Sequence, residues 1–150
     1  MNKNILRKIP AILVMVGICY LSSLPGDDLF LNSVKLSSRA KHIIAYFALG
    51  MSFCLWIPYK KWLEKPVFWC LSIIIFCTVF GILDEFHQSF VSGRSCEGFI
   101  CFSKDLQKIK ISGSNLHDVV SDFIGATAAT LTFLLIVIVR RFKMRTNLSS

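Results

Sequence analysis

Acidic side chains are scarce in this sequence: nine Asp and Glu stand against 17 Lys and Arg, which gives a formal net charge of +8. A basic chain can bind nucleic acid, but no nucleic-acid-binding motif accompanies this charge, so nucleic acid is not expected as a partner. The sequence also lacks an internal repeat and a low-complexity segment, which argues against a solenoid and against a disordered chain. It contains no known zinc-binding or nucleophile motif.

Charged residues and histidine are also absent from four long apolar runs, at 9–24, 43–59, 67–83 and 123–139. A helix of 17 residues spans roughly 25 Å, near the hydrocarbon thickness of about 30 Å of a bilayer. One such run could be the core helix of a soluble protein. Four runs in a chain with 54% hydrophobic residues leave too little polar sequence to cover them.

We therefore predict an all-α integral membrane bundle that forms a single domain over residues 1–150. Its four transmembrane helices are expected at about 9–24, 43–59, 67–83 and 119–139, with outer loops at 25–41 and 89–117. The first run follows Lys3, Arg7 and Lys8, as a secretory signal peptide would. No small-x-small cleavage site follows it, so we interpret it as a retained helix.

The distribution of charge predicts an orientation in the cell membrane, with both termini in the cytoplasm. Ten basic residues fall on one side of the predicted helices, in short segments: Lys3, Arg7, Lys8, Lys60, Lys61, Lys65, Arg140, Arg141, Lys143 and Arg145. The other side holds seven basic residues and eight of the nine acidic ones. The basic excess then faces the anionic lipid of the inner leaflet, and membrane lipid is an expected partner.

Polar residues that are unusual beside apolar runs lie at the ends of these helices that are predicted to face outward. They are Ser22, Ser23, Arg39, His42, Asp84, Glu85, His87, Gln88, Asp118 and Asp122. Residues three or four apart share one face of a helix, so Asp84 aligns with His87 and Gln88, and Asp118 with Asp122. Carboxylates at the edge of the hydrocarbon suggest a functional site. The alternative is that they are helix caps and interfacial ion pairs.

Several of these residues occur in short motifs that resemble the VanZ-like family of bacterial membrane proteins. The motifs are Asp84-Glu85-Phe86-His87-Gln88-Ser89-Phe90, Gly93-Arg94-Ser95, the stretch DVVSDFIGA at 118–126, Ser22-Ser23-x-Pro25 and Arg39-x-x-His42-x-x-x-Tyr46. Together they cover about residues 9–139. The chain departs from the family pattern in three ways: Ser38-Arg39 replaces a frequent Asp-Lys, Asp122 replaces an Asn, and 23 residues separate Arg94 from Asp118.

The resemblance implies a role in the cell envelope, because the family takes its name from a protein linked to low-level resistance to the glycopeptide teicoplanin. We expect a membrane protein that binds a lipid-linked or amphiphilic ligand at the outer leaflet, such as an envelope precursor or a glycopeptide. Arg39 and Arg94 would hold a phosphate or carboxylate. The resemblance gives His42, Glu85, Gln88, Arg94, Asp118 and Asp122 as ligand-binding candidates.

Two other functions stay open at this point. A membrane-embedded hydrolase or transferase acting on envelope lipid would use Asp84, Glu85, His87 and Asp118, with His42, as acid/base groups or hard-metal ligands. We nevertheless assign no metal and no cofactor, because the histidines have no diagnostic spacing. A transporter or channel would need oligomers, since no charge is predicted at the midplane of the bilayer.

The six cysteines fall into two groups. Cys19, Cys54, Cys70 and Cys77 lie in apolar runs, where a small buried hydrophobic side chain is the expected role. Cys96 and Cys101 belong to the predicted outer loop, where a disulfide is permitted. A metal site formed by this pair with His117 is a less favoured alternative.

Overall fold

The computed structural model of the protein describes residues 3–25, 36–88, 90–91 and 113–147. Within these ranges the chain is helical and contains no strand, which confirms the all-α prediction. Six helices follow one another: α1 (Lys3–Leu6), α2 (Ile9–Ser23), α3 (Ser38–Trp56), α4 (Tyr59–Glu64), α5 (Pro66–Gln88) and α6 (Gly113–Thr146).

Two helices of the described ranges are long and apolar enough to cross a membrane: α5 over its whole length, and α6 between Leu116 and Met144. Only 22% of the most apolar stretch of α5 and 33% of that of α6 are buried, so most of their apolar side chains face outward. Helix α2 is apolar but has 15 residues, and α3 includes Arg39 and Lys41 in its first turns.

Local sequence explains where α2 and α3 begin and end. Helix α2 stops at Ser23 because Pro25 disfavours helical geometry at Leu24, which has an extended ψ of 141°. Helix α3 begins at Ser38, several residues before the predicted apolar run, because the Ser37 hydroxyl accepts a hydrogen bond from the Ala40 amide at 3.3 Å. Pro58 ends this helix in the same way as Pro25 ends α2.

Helices α3 and α6 form the central pair of the fold. They approach closely because small residues line the contact. A Cβ atom added at Gly125 would lie 2.5 Å from the carbonyl oxygen of Ile43, and one at Gly50 would lie 3.0 Å from the Cβ of Ala129. Interfaces built from small residues are common where helices pack within membranes. Helix α5 packs against both members of this pair, and helix α2 packs against α3 and α5.

Helix α4 forms part of the end of the fold opposite to the start of α3. Trp62 is fully buried there, donates a hydrogen bond to the carbonyl of Cys54 at 3.2 Å and contacts the ring of Phe133. Lys60 and Lys61 of the same short helix stay exposed. The fold therefore has a basic end, formed by α4 and the last turns of α6, where Arg140, Arg141 and Lys143 are also exposed.

The described cysteines are free, and three of the four are buried as predicted: Cys54, Cys70 and Cys77. The prediction for Cys19 is wrong, because this residue is exposed. Helix α2 packs against the bundle through Ala11, Ile18 and Ser22, which leaves the adjoining face, with Cys19, outside. Cys96 and Cys101 lie outside the described residues, as do Arg94 and the rest of residues 92–112 of the outer loop predicted at 89–117. The end of that prediction is wrong, because α6 begins at Gly113 and not near residue 119.

Candidate functional site

The C-terminal ends of α2 and α5 meet the N-terminal ends of α3 and α6, and we call this region the polar end. Direct side-chain contacts join all four helices there. Ser23 Oγ lies 3.1 Å from His87 Nε2, which links α2 to α5. Ser38 Oγ donates to Asp118 Oδ2 at 3.5 Å, which links α3 to α6. The fold thus assembles groups that the sequence separates by 60 to 80 positions.

His42 occupies the centre of this region. Its Nδ1 lies 2.8 Å from Asp122 Oδ1, within hydrogen-bond distance. Its Nε2 lies 3.7 Å from Glu85 Oε1 and 4.0 Å from Asp118 Oδ2. We call these four residues the His42 cluster. Three carboxylates, carried by two different helices, therefore surround a single imidazole.

Asp122 is the most deeply placed member of the cluster, with no exposed surface. Its Oδ1 bonds His42, while its Oδ2 has no hydrogen-bond partner among the described residues. Gly81 of α5 makes room for this carboxylate, because a Cβ at position 81 would collide with Asp122 Oδ2. A buried carboxylate is costly in free energy unless a positive charge or hydrogen-bond donors compensate it.

Tyr46 lies one turn along α3 from His42 and closes the cluster on the side of the bundle core. The two rings are nearly parallel, with an interplanar angle of 8° and centroids 6.4 Å apart. Tyr46 is 1% exposed, and its hydroxyl has no hydrogen-bond partner among the described residues. The ring of Phe80 packs beside it. The floor of the site is therefore aromatic and buried.

The other candidate residues of α5, which are Asp84, His87 and Gln88, make two separate sets of contacts. Asp84 is buried and accepts a hydrogen bond from Gln88 Nε2 at 2.9 Å, as their spacing on one face predicts. Gln88 also reaches Ser22 Oγ at 3.4 Å. His87 is exposed and faces Ser23. Of the four proposed catalytic residues, only Glu85 and Asp118 thus belong to the His42 cluster.

The arginines that were expected to hold an anion do not enter this cluster in the described ranges. Arg39 is exposed and forms no ion pair with any described residue. Arg94 lies outside the described residues. The charges that the structure places around His42 are therefore negative, which suits a cation or a hydrogen-bond donor better than a bare anion.

Sequence reasoning missed two parts of the site. Gly81 shapes the pocket of Asp122, and its position four residues before Glu85, on the same face of α5, is the signal that could have identified it. Ser38 supplies a hydroxyl to Asp118 where the VanZ-like pattern often has a carboxylate. The departure from the family pattern thus falls on a residue that contacts the site.

Comparison with family models, with curated proteins and with solved structures gives no match for this chain. The resemblance to the VanZ-like family consequently stays a prediction that depends on the short motifs alone.

Proposed function

We propose that this chain is a VanZ-like, multi-pass protein of the bacterial cell membrane that binds a lipid-linked or amphiphilic ligand at the outer leaflet through its polar end. In this proposal α2, α3, α5 and α6 are the four transmembrane helices. The outward-facing apolar side chains of α5 and α6 support it. Helix α2 adds an exposed apolar face that includes Leu13, Val16 and Tyr20.

The proposed orientation places the basic end in the cytoplasm and the polar end outside. The lysines of α4 and the arginines that follow Val139 would then lie near the inner leaflet, in agreement with the positive-inside rule. Lys8 and Lys61 each lie over a tryptophan ring at this end, at 5.3 and 5.5 Å from Trp56 and Trp69. Cations beside aromatic rings are typical of membrane interfaces.

The observation that carries the proposal is the burial of several carboxylates around one imidazole at the end of an apolar bundle. Glu85 and Asp122 have side-chain exposures of 5% and 0%, and Asp118 keeps 20%. A headgroup that brings amine, amide or sugar hydroxyl donors would compensate these oxygens. Asp118, the most exposed of the three, is the acceptor that such a ligand would reach first.

Binding of a lipid-linked envelope precursor can be measured directly. The probe is a fluorescent polyprenyl-pyrophosphate disaccharide added to the full chain in lipid nanodiscs. We expect Glu85→Gln and Asp118→Asn each to weaken binding about tenfold, the effect of losing one charged hydrogen bond. Glu64→Gln changes an exposed carboxylate at the basic end and is the matched control. Equal binding by all four proteins would contradict the proposal.

A contribution to glycopeptide tolerance can be tested in the same variants. Cells that express the wild-type chain should tolerate a higher teicoplanin concentration than cells that express Glu85→Gln at equal membrane levels. Glu64→Gln should behave like the wild type. If Glu85→Gln protects cells as well as the wild type does, the polar end has no part in tolerance.

The alternative, a membrane-embedded hydrolase or transferase, is favoured by one observation: Asp122 orients the His42 ring, which is how a general base is commonly held. Ser23 does not supply its nucleophile. Ser23 donates its only hydroxyl proton to the carbonyl of Cys19 at 2.7 Å, so it accepts a hydrogen bond from His87. In this alternative the attacking group is water. Release of the disaccharide from the probe, abolished by His42→Gln, would identify this activity.

A further inference from the structure

We infer that His42, Glu85 and Asp118 form a binding site for one divalent transition-metal ion, with Zn²⁺ as the preferred occupant. One ligand atom of each residue, His42 Nε2 and one carboxylate oxygen each of Glu85 and Asp118, lies within 4.8 Å of the other two. The residues come from α3, α5 and α6, so the tertiary fold and not a local motif creates the set.

The two separations that involve His42 are close to those of a zinc site. Ligands about 2.1 Å from a tetrahedral ion lie about 3.4 Å from one another. His42 Nε2 is 3.7 Å from the Glu85 oxygen and 4.0 Å from the Asp118 oxygen. Side-chain movements of less than about 1 Å would complete the coordination, which is within the range of small rotamer adjustments.

Asp122 supplies the outer support that metal-bound histidines generally have. As the hydrogen-bond acceptor of Nδ1, it places the proton on that nitrogen and directs the Nε2 lone pair toward Glu85 and Asp118. A neutral imidazole with its lone pair facing two carboxylates is electrostatically unfavourable unless a proton or a metal cation lies between them. Ser38, which donates to Asp118, orients a second ligand in the same way.

A second observation points independently to a cation. Asp122 has no exposed surface, and its Oδ2 has no hydrogen-bond partner in the described part of the chain. The nearest described charged groups are the carboxylates of Glu85 and Asp118 and the imidazole of His42. One imidazole cannot balance three acidic groups. A divalent ion bound to His42 Nε2 would place two positive charges on the far side of the imidazole ring that bonds this buried carboxylate.

The composition of the ligand set selects the class of metal. An imidazole nitrogen suits Zn²⁺ and its neighbours in the transition series, whereas Mg²⁺ and Ca²⁺ prefer sites made of oxygen atoms. Zn²⁺ binds such sites more tightly than Mn²⁺ does. Three protein ligands leave one position open, as in zinc sites that bind a water or an exogenous ligand. This inference does not depend on the nature of the lipid-linked ligand.

The full chain in detergent, with any affinity tag removed and stripped of metal, can be titrated with Co²⁺ as a coloured substitute for Zn²⁺. We expect visible absorption bands that saturate at one Co²⁺ per chain and disappear when Zn²⁺ is added. Mg²⁺ at the same concentration should not displace Co²⁺. A wild-type chain that gives no saturable cobalt spectrum would overturn the inference, whatever the result of the lipid-binding experiment.

Variants then assign the ligands. Glu85→Gln and Asp118→Asn should each weaken Zn²⁺ binding by about 100-fold, and Asp122→Asn by about 10- to 100-fold through the lost support of His42. His117→Gln and Glu64→Gln, which change an exposed imidazole and an exposed carboxylate, should bind as the wild type does. Unchanged affinity in the double variant of Glu85 and Asp118 would refute the assignment.

A spectroscopic measurement on the wild type covers the case in which a variant fails to fold. X-ray absorption at the zinc edge should show one imidazole, oxygen atoms in the remaining positions and no sulfur. Two or more imidazoles, or any zinc–sulfur distance near 2.3 Å, would place the ion elsewhere and refute the site.

Discussion

The two ends of the helical bundle differ in where they place their charged side chains: one end exposes them, and the other buries several of them. At the basic end Lys60, Lys61, Arg140 and Arg141 are exposed, and the indole of the buried Trp62 bonds a backbone carbonyl. At the polar end Asp84, Glu85 and Asp122 are themselves buried. Exposed charge needs only solvent, whereas buried charge needs a partner.

This difference shows where function is to be sought. Exposed cations contribute little to stability. In membrane proteins they help to set the orientation of the chain and attract anionic lipid. Buried carboxylates that crowd one imidazole reduce stability unless something compensates them, and chains retain such groups mainly at binding or catalytic sites. Substitutions at the polar end should therefore have large and specific effects, and substitutions at the basic end small ones.

The largest loss of stability is expected from His42→Ala. This change removes the only described hydrogen-bond partner of Asp122, and leaving a buried charge without its partner costs about 3 kcal/mol or more. His42→Gln keeps a donor side chain and should lose less. Thermal unfolding in detergent, followed by circular dichroism, gives the melting temperatures of the wild type, His42→Gln and His42→Ala, which should fall in that order. If His42→Ala unfolds at the temperature of the wild type, the buried pair is not a structural constraint.

Gly125→Ala should cause the second-largest loss of stability, because the new Cβ would lie 2.5 Å from the Ile43 carbonyl oxygen and force α3 and α6 apart. Overpacking of this kind costs about 1–3 kcal/mol. Gly17→Ala is the matched control, since nothing lies within 4 Å of a Cβ at that position. The control should be neutral or slightly stabilising because alanine favours helix. Equal melting temperatures for the two variants would contradict the close approach of these helices.

Trp62→Phe tests the basic end. Phenylalanine preserves most of the packing against Phe133 but cannot donate to the Cys54 carbonyl, so the expected loss is about 1 kcal/mol. Lys61→Gln, in the same helix but exposed, serves as its control. A loss for Trp62→Phe as large as that for His42→Ala would remove the distinction between the two ends.

The smallest effect is expected from Arg39→Gln. Arg39 is exposed and has no ion pair among the described residues, so the melting temperature should not change within error. Binding of the disaccharide probe should likewise be retained if the site recognises donors through its carboxylates. Loss of probe binding with unchanged stability would instead assign Arg39 to an anionic part of the ligand.

The arrangement of the polar end was partly predictable because it depends on helix periodicity and on alternating helix direction. His42 and Asp122 are 80 residues apart, but each begins an apolar run that enters the bundle from the same end. Asp84 and Gln88 share a face by spacing alone, and the structure joins them.

Other features depend on tertiary packing that periodicity does not encode. Helix α3 begins earlier than its apolar run because Ser37 caps it, and α4 is held in place by Trp62, which packs against Phe133 and bonds the Cys54 carbonyl. His87 and Glu85 lie apart because they are on different faces of α5: His87 faces Ser23 of α2, and Glu85 faces His42 of α3. The exposure of Cys19 follows from the limited contact of α2 with the rest of the bundle.

The central claim, that the bundle spans the membrane with its polar end outside and its basic end inside, can be tested by labelling single cysteines in intact cells. The six native cysteines are first replaced, and one cysteine is introduced at Lys61, at Phe90, at Glu97 (outside the described residues) or at Arg145. The account predicts that an impermeant maleimide labels positions 90 and 97 from outside and labels 61 and 145 only after the cells are opened. Labelling of 61 or 145 in intact cells, or protection of both 90 and 97, would contradict it.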